Sequence, residues 1–316
     1  MAKSYSLNAS YQGNYNSTDL SGNPEMIFYK HYVTNILCHS LIDYTCTSTQ
    51  MSGITKSAFD AYLFTDGKPK ATTSCDTNDV APLIDGKLSL DAILAVRDKR
   101  LSETIDHVLL YNGNSNARAA GDMEQTSSTG YGIAKYDNTS LPLGDRNTGN
   151  KNYTDAPIFW LSVVYLNYVE ACAELGSLTD AQLNGFKQLR ARAGLPTATV
   201  ASLSAINDPA NNHGVSSLLW EIRRERRCEL MMDNDFRYWD LVRWHQLDKL
   251  DSTKYPDILR GANVKNDPSC EADKVGDYID GRKGRDRAYD KKYYLYPVPS
   301  GQSDLNPALL PNNPGW

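Results

Sequence analysis

Long apolar runs are missing from this chain: no stretch approaches the roughly 18 uninterrupted apolar residues that a membrane-spanning helix requires. Residues 1–24, polar and rich in Ser, Asn and Gly, lack the basic and then apolar segments of a secretory signal. Basic charge is not in excess either. A formal net charge of −5 and a pI near 5.6 argue against a nucleic-acid backbone or an anionic membrane surface as partner. The five histidines, His31, His39, His107, His213 and His245, stand in no H-E-x-x-H or H-x-H arrangement. The six cysteines form no C-x-x-C pair, which leaves zinc ribbons and thioredoxin-like redox sites without ligands. Neither a G-x-x-x-x-G-K-[ST] phosphate loop nor a G-x-S-x-G nucleophile elbow occurs. The acids of segment 277–290 lack EF-hand spacing. Carboxylates are too plentiful to single out a glycosidase pair. The chain is therefore expected to be non-enzymatic, with no metal and no cofactor.

What is present is an ordinary soluble composition, 41% hydrophobic and 22% charged, with an unusual aromatic balance of 20 Tyr against 6 Phe and 5 Trp. Tyrosine joins a flat apolar face to a hydroxyl, which suits wet recognition surfaces. The densest pattern lies at 215–244. Val215, Leu218, Leu219 and Ile222 recur at helical spacing. Arg223, Arg224, Glu225, Arg226, Arg227 and Glu229 follow, and after a short break Arg237, Asp240 and Arg243 lie three apart, so opposite charges meet on a helix. Trp239 and Trp244 flank them. Such a run implies a solvated face or a salt-bridged seam; its alternating acids cancel the field a phosphate backbone would need.

Ile222, Glu225, Arg226, Glu229 and Leu230, followed by Arg237, Asp240, Leu241, Arg243 and Trp244, resemble the signature helices of the SusD/RagB family. The closing stretch is similar to that family's Y-L-x-P-I-P, D-L-N-P and N-P-G-W ending: Tyr294, Leu295 and Tyr296 should be extended, the prolines bar continued helix, and Trp316 should pin the tail by burial. A third match runs from Asp155 to Pro196. Asp155 and Pro157 suit a helix start. Ile158, Leu161, Tyr165, Tyr168, Cys172 and Leu175 would share a face, with Gly176 as terminator. Thr179 or Asp180 would cap a second helix with Leu183, Phe186 and Leu189 inward, ending at Gly194. That is one TPR-like hairpin. Leu166, Asn167, Tyr168, Glu170 and Ala171 match the family's pattern, but Trp160 and Val163 stand where it has an Arg and a Glu, which implies an ion pair replaced by apolar packing. Shorter echoes are Arg97-Asp98-x-Arg100-Leu101, Asp66-Gly67-Lys68-Pro69 and Gly130-Tyr131 with Lys135-Tyr136.

The resemblance implies a mainly α fold: a TPR-like hairpin and signature helices with long irregular loops and a few short strands. It divides the chain into a polar irregular segment, 1–24, and a SusD/RagB-like C-terminal domain, 25–316. Family members carry a signal, a lipid-bearing cysteine and further TPR-like helices ahead of this portion. A lone hairpin cannot bury its own face, so Trp160 and Tyr165 should be partly exposed or covered by this chain's own loops. Within the domain, 26–28 and 108–111 read as strands, and 56–64 and 88–104 as helical. Cys172 and Cys228 should be buried inside helices, and Cys38 and Cys46 could bridge in an oxidising compartment.

By resemblance the protein is a cell-surface, outer-membrane nutrient-binding lipoprotein that captures oligosaccharide for a SusC-like TonB-dependent transporter. Peptide binding is the alternative, to be marked by acidic or basic pockets in place of stacked aromatics; a structural cap without ligand contact is another, to be marked by loss of exposed aromatics. Sugars lay C–H faces on aromatic rings while Asn, Asp and Arg satisfy hydroxyls. Segments 29–44 and 111–136 hold such parts. Their candidate glycan contacts are Tyr29, Tyr32, His39, Tyr44, Tyr111, Asn112, Tyr131 and Tyr136. The signature helices are assigned to architecture.

Overall fold

A computed structural model describes residues 4–47, 52–111, 116–117, 121–281 and 284–316. The chain is mostly helical with few, short strands. Segment 1–24 is irregular where described, apart from one short 3-10 turn at Gln12–Asn14. Despite its polarity it places Tyr11, Tyr15 and Leu20 in the main core. Met26–Lys30 (β1) pairs antiparallel with Ala156–Trp160 (β2). The expected helix start at Asp155 is therefore extended chain. Pro157 lacks an amide for the ladder and sits on this two-stranded ribbon, where an edge is available. Asp155 caps no helix; it accepts from the Leu20 and Tyr32 amides, each at 2.9 Å.

The short helix Leu41–Cys46 (α1) follows the β1 loop, and Asn152 accepts from the Ile42 and Asp43 amides at its start. The helical readings over 56–64 and 88–104 contract to Lys56–Phe59, Asp91–Ala95 and Lys99–Thr104 (α2). The break before α2 has a physical cause. Arg97 turns inward to donate to the Phe59 and Tyr62 carbonyls, and the Asp98 side chain caps α2 at the Arg100 amide. The 108–111 strand is reduced to isolated bridges, among them Ser89 to Val108 and Leu110 to Gly130.

Leu161–Glu174 (α3) and Asn184–Arg192 (α4) are the expected hairpin. Leu183, Phe186 and Leu189 are fully buried on its inner side. Gly176, at φ +65°, closes α3 while the Ser177 amide reaches the Cys172 carbonyl, a left-handed C-terminal motif. The two helices approach so closely that a Cβ at Gly185 would lie 2.4 Å from the Tyr165 ring. Trp160 is completely buried, and what covers it is this chain's own N-terminal segment: Tyr15 packs edge-on at 6.0 Å. Val163 is also buried. Apolar packing thus fills the place of the family's Arg and Glu.

Ser217–Glu229 (α5) and Phe236–Arg243 (α6) are the signature helices. Ser216 caps α5 by accepting from the Leu219 amide. Arg260–Asn263 (β3), Lys274–Val275 (β4) and Tyr278–Asp280 (β5) form a three-stranded sheet in the order β3-β5-β4. The tail differs from expectation: 291–294 is a 3-10 turn and Ser300–Leu305 a short helix. Trp316 pins it by donating its indole N–H to the Leu295 carbonyl at 2.8 Å, with Lys292 4.4 Å over the ring, and stays 45% exposed. Cys172 and Cys228 are buried; Cys38 and Cys46 are both free thiols, so the 38–46 bridge is absent.

Candidate functional site

The eight candidate contacts divide by burial. Tyr111, Tyr131 and Tyr136 are core residues. Bridges between Ile105 and Ile133 and between Leu110 and Gly130 fold segment 111–136 back onto the main core, which turns these rings inward. Tyr131 stacks on Phe59 at 4.5 Å and 11°, and the Tyr111 hydroxyl donates to Asp267. Tyr136 donates to the Met232 carbonyl at 3.0 Å, while Lys135, fully buried, bonds the Met231 carbonyl and both oxygens of Asp233. Lys135 and Tyr136 therefore hold the turn between α5 and α6. None of the three tyrosines offers a ring face to a ligand. Asn112, with Asn114 and Arg118, lies outside the described residues.

The other stretch presents a surface. Phe28 and Lys30 are the alternating exposed positions of β1, and Tyr32 follows two residues beyond the strand's end. Phe28, 60% exposed, is paired with exposed Phe159 of β2. Lys30 stands 5.0 Å from the half-buried Tyr32 ring. Tyr32 meets His39 edge-on at 4.5 Å. Both His39 nitrogens are used: Nε2–H donates to the Thr154 carbonyl at 2.8 Å, and Nδ1 accepts from the Leu41 amide at 3.0 Å. Burial pushes the His39 imidazole pKa down, against the pull of that carbonyl. A neutral ring with both nitrogens occupied positions Tyr32 and is left with little to offer a ligand. The Asp155 side chain, fully buried, holds the Tyr32 amide and His31 Nδ1, the latter at 2.8 Å. Tyr44, 56% exposed, projects from α1. Tyr29 is half-buried against the core. Among the described candidates, only Tyr32 and Tyr44 have presented rings on anchored backbone. The sequence reading missed Phe28 and Phe159, because an exposed aromatic pair on a narrow ribbon has the same composition as a buried strand.

The signature motifs hold one another instead of a ligand. Arg100, completely buried, bonds Asp98, Glu225 at 2.6 Å and Glu229 at 2.8 Å. Arg226 joins Asp240 at 2.8 Å and Asn167 at 2.7 Å. Glu170 takes Arg243 at 2.6 Å and the Trp244 indole at 2.7 Å. The run is thus a buried salt-bridged seam, and the solvated-face reading fails. Removing one partner of such a pair costs about 3–5 kcal/mol, because the other charge is left in low dielectric.

Beside α5 and α6 opens a cavity of about 650 Å³. Its wall carries eight basic side chains against three acidic ones, which makes it cationic. Burial, with Arg227 beside it, holds the Arg237 guanidinium down to about 9. Burial together with Arg237 and Arg227 holds Lys249 at about 8. Sequence reading singled out Arg223, Arg224, Arg227 and Arg237 but assigned them to a salt-bridged seam or solvated face; only folding brings Lys70, Lys249 and Arg287 beside them around a cavity. Among the described residues no cluster of His, Cys, Asp and Glu could hold a metal.

Comparison with known proteins places this geometry. A profile of the SusD family matches residues 8–316. A SusD-like carbohydrate binding protein from Bacteroides fragilis superposes with TM-score 0.68 at 23% identity, over 97% of this chain and 58% of that protein. A second SusD-like protein from Bacteroides fragilis gives TM-score 0.58 at 21% identity, over 97% and 57%. A SusD superfamily protein from Bacteroides vulgatus gives 0.53 at 17%, over 99% and 56%. The chain thus spans less than two thirds of the length of these structures. No curated protein matches it.

Proposed function

The chain belongs to the SusD family, and on that premise we propose that it is a non-catalytic cell-surface protein that captures oligosaccharide for a TonB-dependent transporter of the outer membrane. The observation that carries this reading is the strip formed by Phe28, Phe159, Lys30 and Tyr32, with Tyr44 exposed on the helix that follows. Aromatic rings on a backbone fixed by buried Asp155 and Asn152 are prepared for the C–H faces of sugars at little ordering cost. Retention of exposed rings argues against a cap that touches no ligand. One SusD-like relative is described as carbohydrate binding, which supports the same class of ligand. Attachment to the surface by a lipid anchor is part of this proposal.

Peptide capture is the second reading; the cationic cavity is the basic pocket expected of it, although no described strand on the cavity wall gives an extended peptide an edge to join. Affinity electrophoresis of the purified chain through a panel of plant, host and microbial polysaccharides, with mixed peptides as competitor, separates the two. The proposal expects retardation by one glycan class, unaffected by peptide. Migration that no glycan alters, or retardation abolished by peptide, would contradict it.

A further inference from the structure

Five cations on the cavity wall have no carboxylate partner among the described residues; Lys254 and Arg287 are exposed to solvent, which leaves Arg227, Arg237 and Lys249 as the three set into the wall. Arg227 donates only to the Ser57 hydroxyl, at 3.1 Å. Arg237 lies 5.9 Å from the Trp244 ring and makes no ion pair. Lys249 sits 4.6 Å over the Trp220 ring and reaches the Asn212 side-chain oxygen at 3.5 Å. Each acid on the wall is already engaged: Asp208 by Arg224 and the Trp220 indole, Asp60 by Lys56, Asp257 by Arg260. Asp240 and Asp248, whose charges also act on Arg237 and Lys249, are held by Arg226 and Arg243 and by His213. Elsewhere in the seam buried arginines find carboxylates, as Arg100, Arg192 and Arg226 do. Grouping like charges without counter-charge is unfavourable unless something anionic enters.

We propose that this cavity binds the carboxylate or sulfate group of an acidic sugar residue, with Arg227, Arg237 and Lys249 as its donors. Arginine matches a planar or tetrahedral oxyanion with two parallel donors, and lysine adds a point charge. The indole faces are covered by cations, Trp244 by Arg223 at 4.4 Å and Trp220 by Lys249, so they steady the charges and leave recognition to them. The volume lies within the range of small-ligand sites, roughly 300–1,000 Å³. No strand lies on the wall, so an extended peptide has no sheet edge to join, which favours a sugar. The sugar part rests on the glycan-capture reading; the oxyanion site does not.

Isothermal titration of the chain with oligogalacturonate, a sulfated galacto-oligosaccharide and a matched neutral galacto-oligosaccharide tests it, with inorganic sulfate and an oligoglutamate peptide as further arms. One acidic sugar should bind at least about tenfold tighter than the neutral one, weakening with salt. The carboxylate and sulfate arms identify which group is read. Arg237→Gln and Lys249→Gln should each remove that advantage, while Lys265→Gln, exposed and outside the cavity lining, should not. Unchanged melting of Lys249→Gln guards against loss of fold. Acidic sugars binding no tighter than neutral ones, or equally well to both cavity variants, would overturn the site while leaving neutral-glycan capture standing. Inorganic sulfate or oligoglutamate binding as tightly as any acidic sugar would overturn the sugar assignment.

Discussion

Asp79 shows how single residues carry this molecule. Its carboxylate takes Lys56 at 3.1 Å, Lys70 at 3.2 Å and the Tyr278 hydroxyl at 3.0 Å, tying the loop after 70 to β5. Burial alone would raise its pKa; Lys56 and Lys70 overcome that and hold it at about 2. A carboxyl depressed on folding contributes stability above its unfolded pKa, near 4, and loses it as pH falls through the folded one. Asp79→Asn should therefore cost on the order of 1–2 kcal/mol near neutral pH. Urea denaturation of both proteins at successively lower pH should show the gap closing between about pH 4 and 2. A gap that stays constant down that range would contradict the assignment. The same scale explains the tyrosines. Tyr131 and Tyr44 have the same side chain, and only the company of Phe59 against open solvent separates core from surface. Composition cannot show that difference.

At the scale of elements, legibility follows the number of local constraints. The α3–α4 hairpin was readable because Leu183, Phe186 and Leu189 keep helical period and Gly176 and Gly194 end the turns with positive φ. The signature helices were readable for the same reason. The start of α3 was not. Asp155 and Pro157 satisfy a helix entry equally well as a ribbon, and the choice was made by pairing with β1, more than a hundred residues away. The long helical readings upstream failed where a buried arginine, Arg97, took main-chain carbonyls and broke the run. Gly185 tests the hairpin's packing. Gly185→Ala gains helix propensity, about 1 kcal/mol, but sets a methyl within 2.4 Å of the Tyr165 ring. Overpacking of that kind costs about 1–3 kcal/mol, so the melting temperature should fall. Gly144→Ala, with nothing within 4 Å, supplies the control. A rise in melting temperature for Gly185→Ala would show that the helices can part without cost.

For the whole molecule, the motifs that made the family recognisable are the ones that bind the chain to itself. Arg100 links α2 to α5, Asn167 and Glu170 link α3 to α5 and α6, and Lys135 locks the turn between them. The surfaces proposed for recognition are the ribbon strip, which lies outside those motifs, and the cationic cavity, which borrows Arg227 and Arg237 from the signature helices. Local sequence could show neither whole, because the strip takes Phe159 and the cavity takes Lys70 and Arg287 from distant segments. Fold was therefore legible from motif order, whereas of the proposed strip only Tyr32 and Tyr44 were among the residues read in advance, from the 29–44 stretch. The most direct test of this division is calorimetric titration of the glycan that best retards the chain, comparing wild type with a Tyr32→Ala/Tyr44→Ala double variant. Division of labour between core and strip predicts at least about a tenfold loss of affinity, roughly 1.4 kcal/mol, with the melting temperature nearly unchanged. Full affinity in the double variant would contradict it and move glycan capture off the strip.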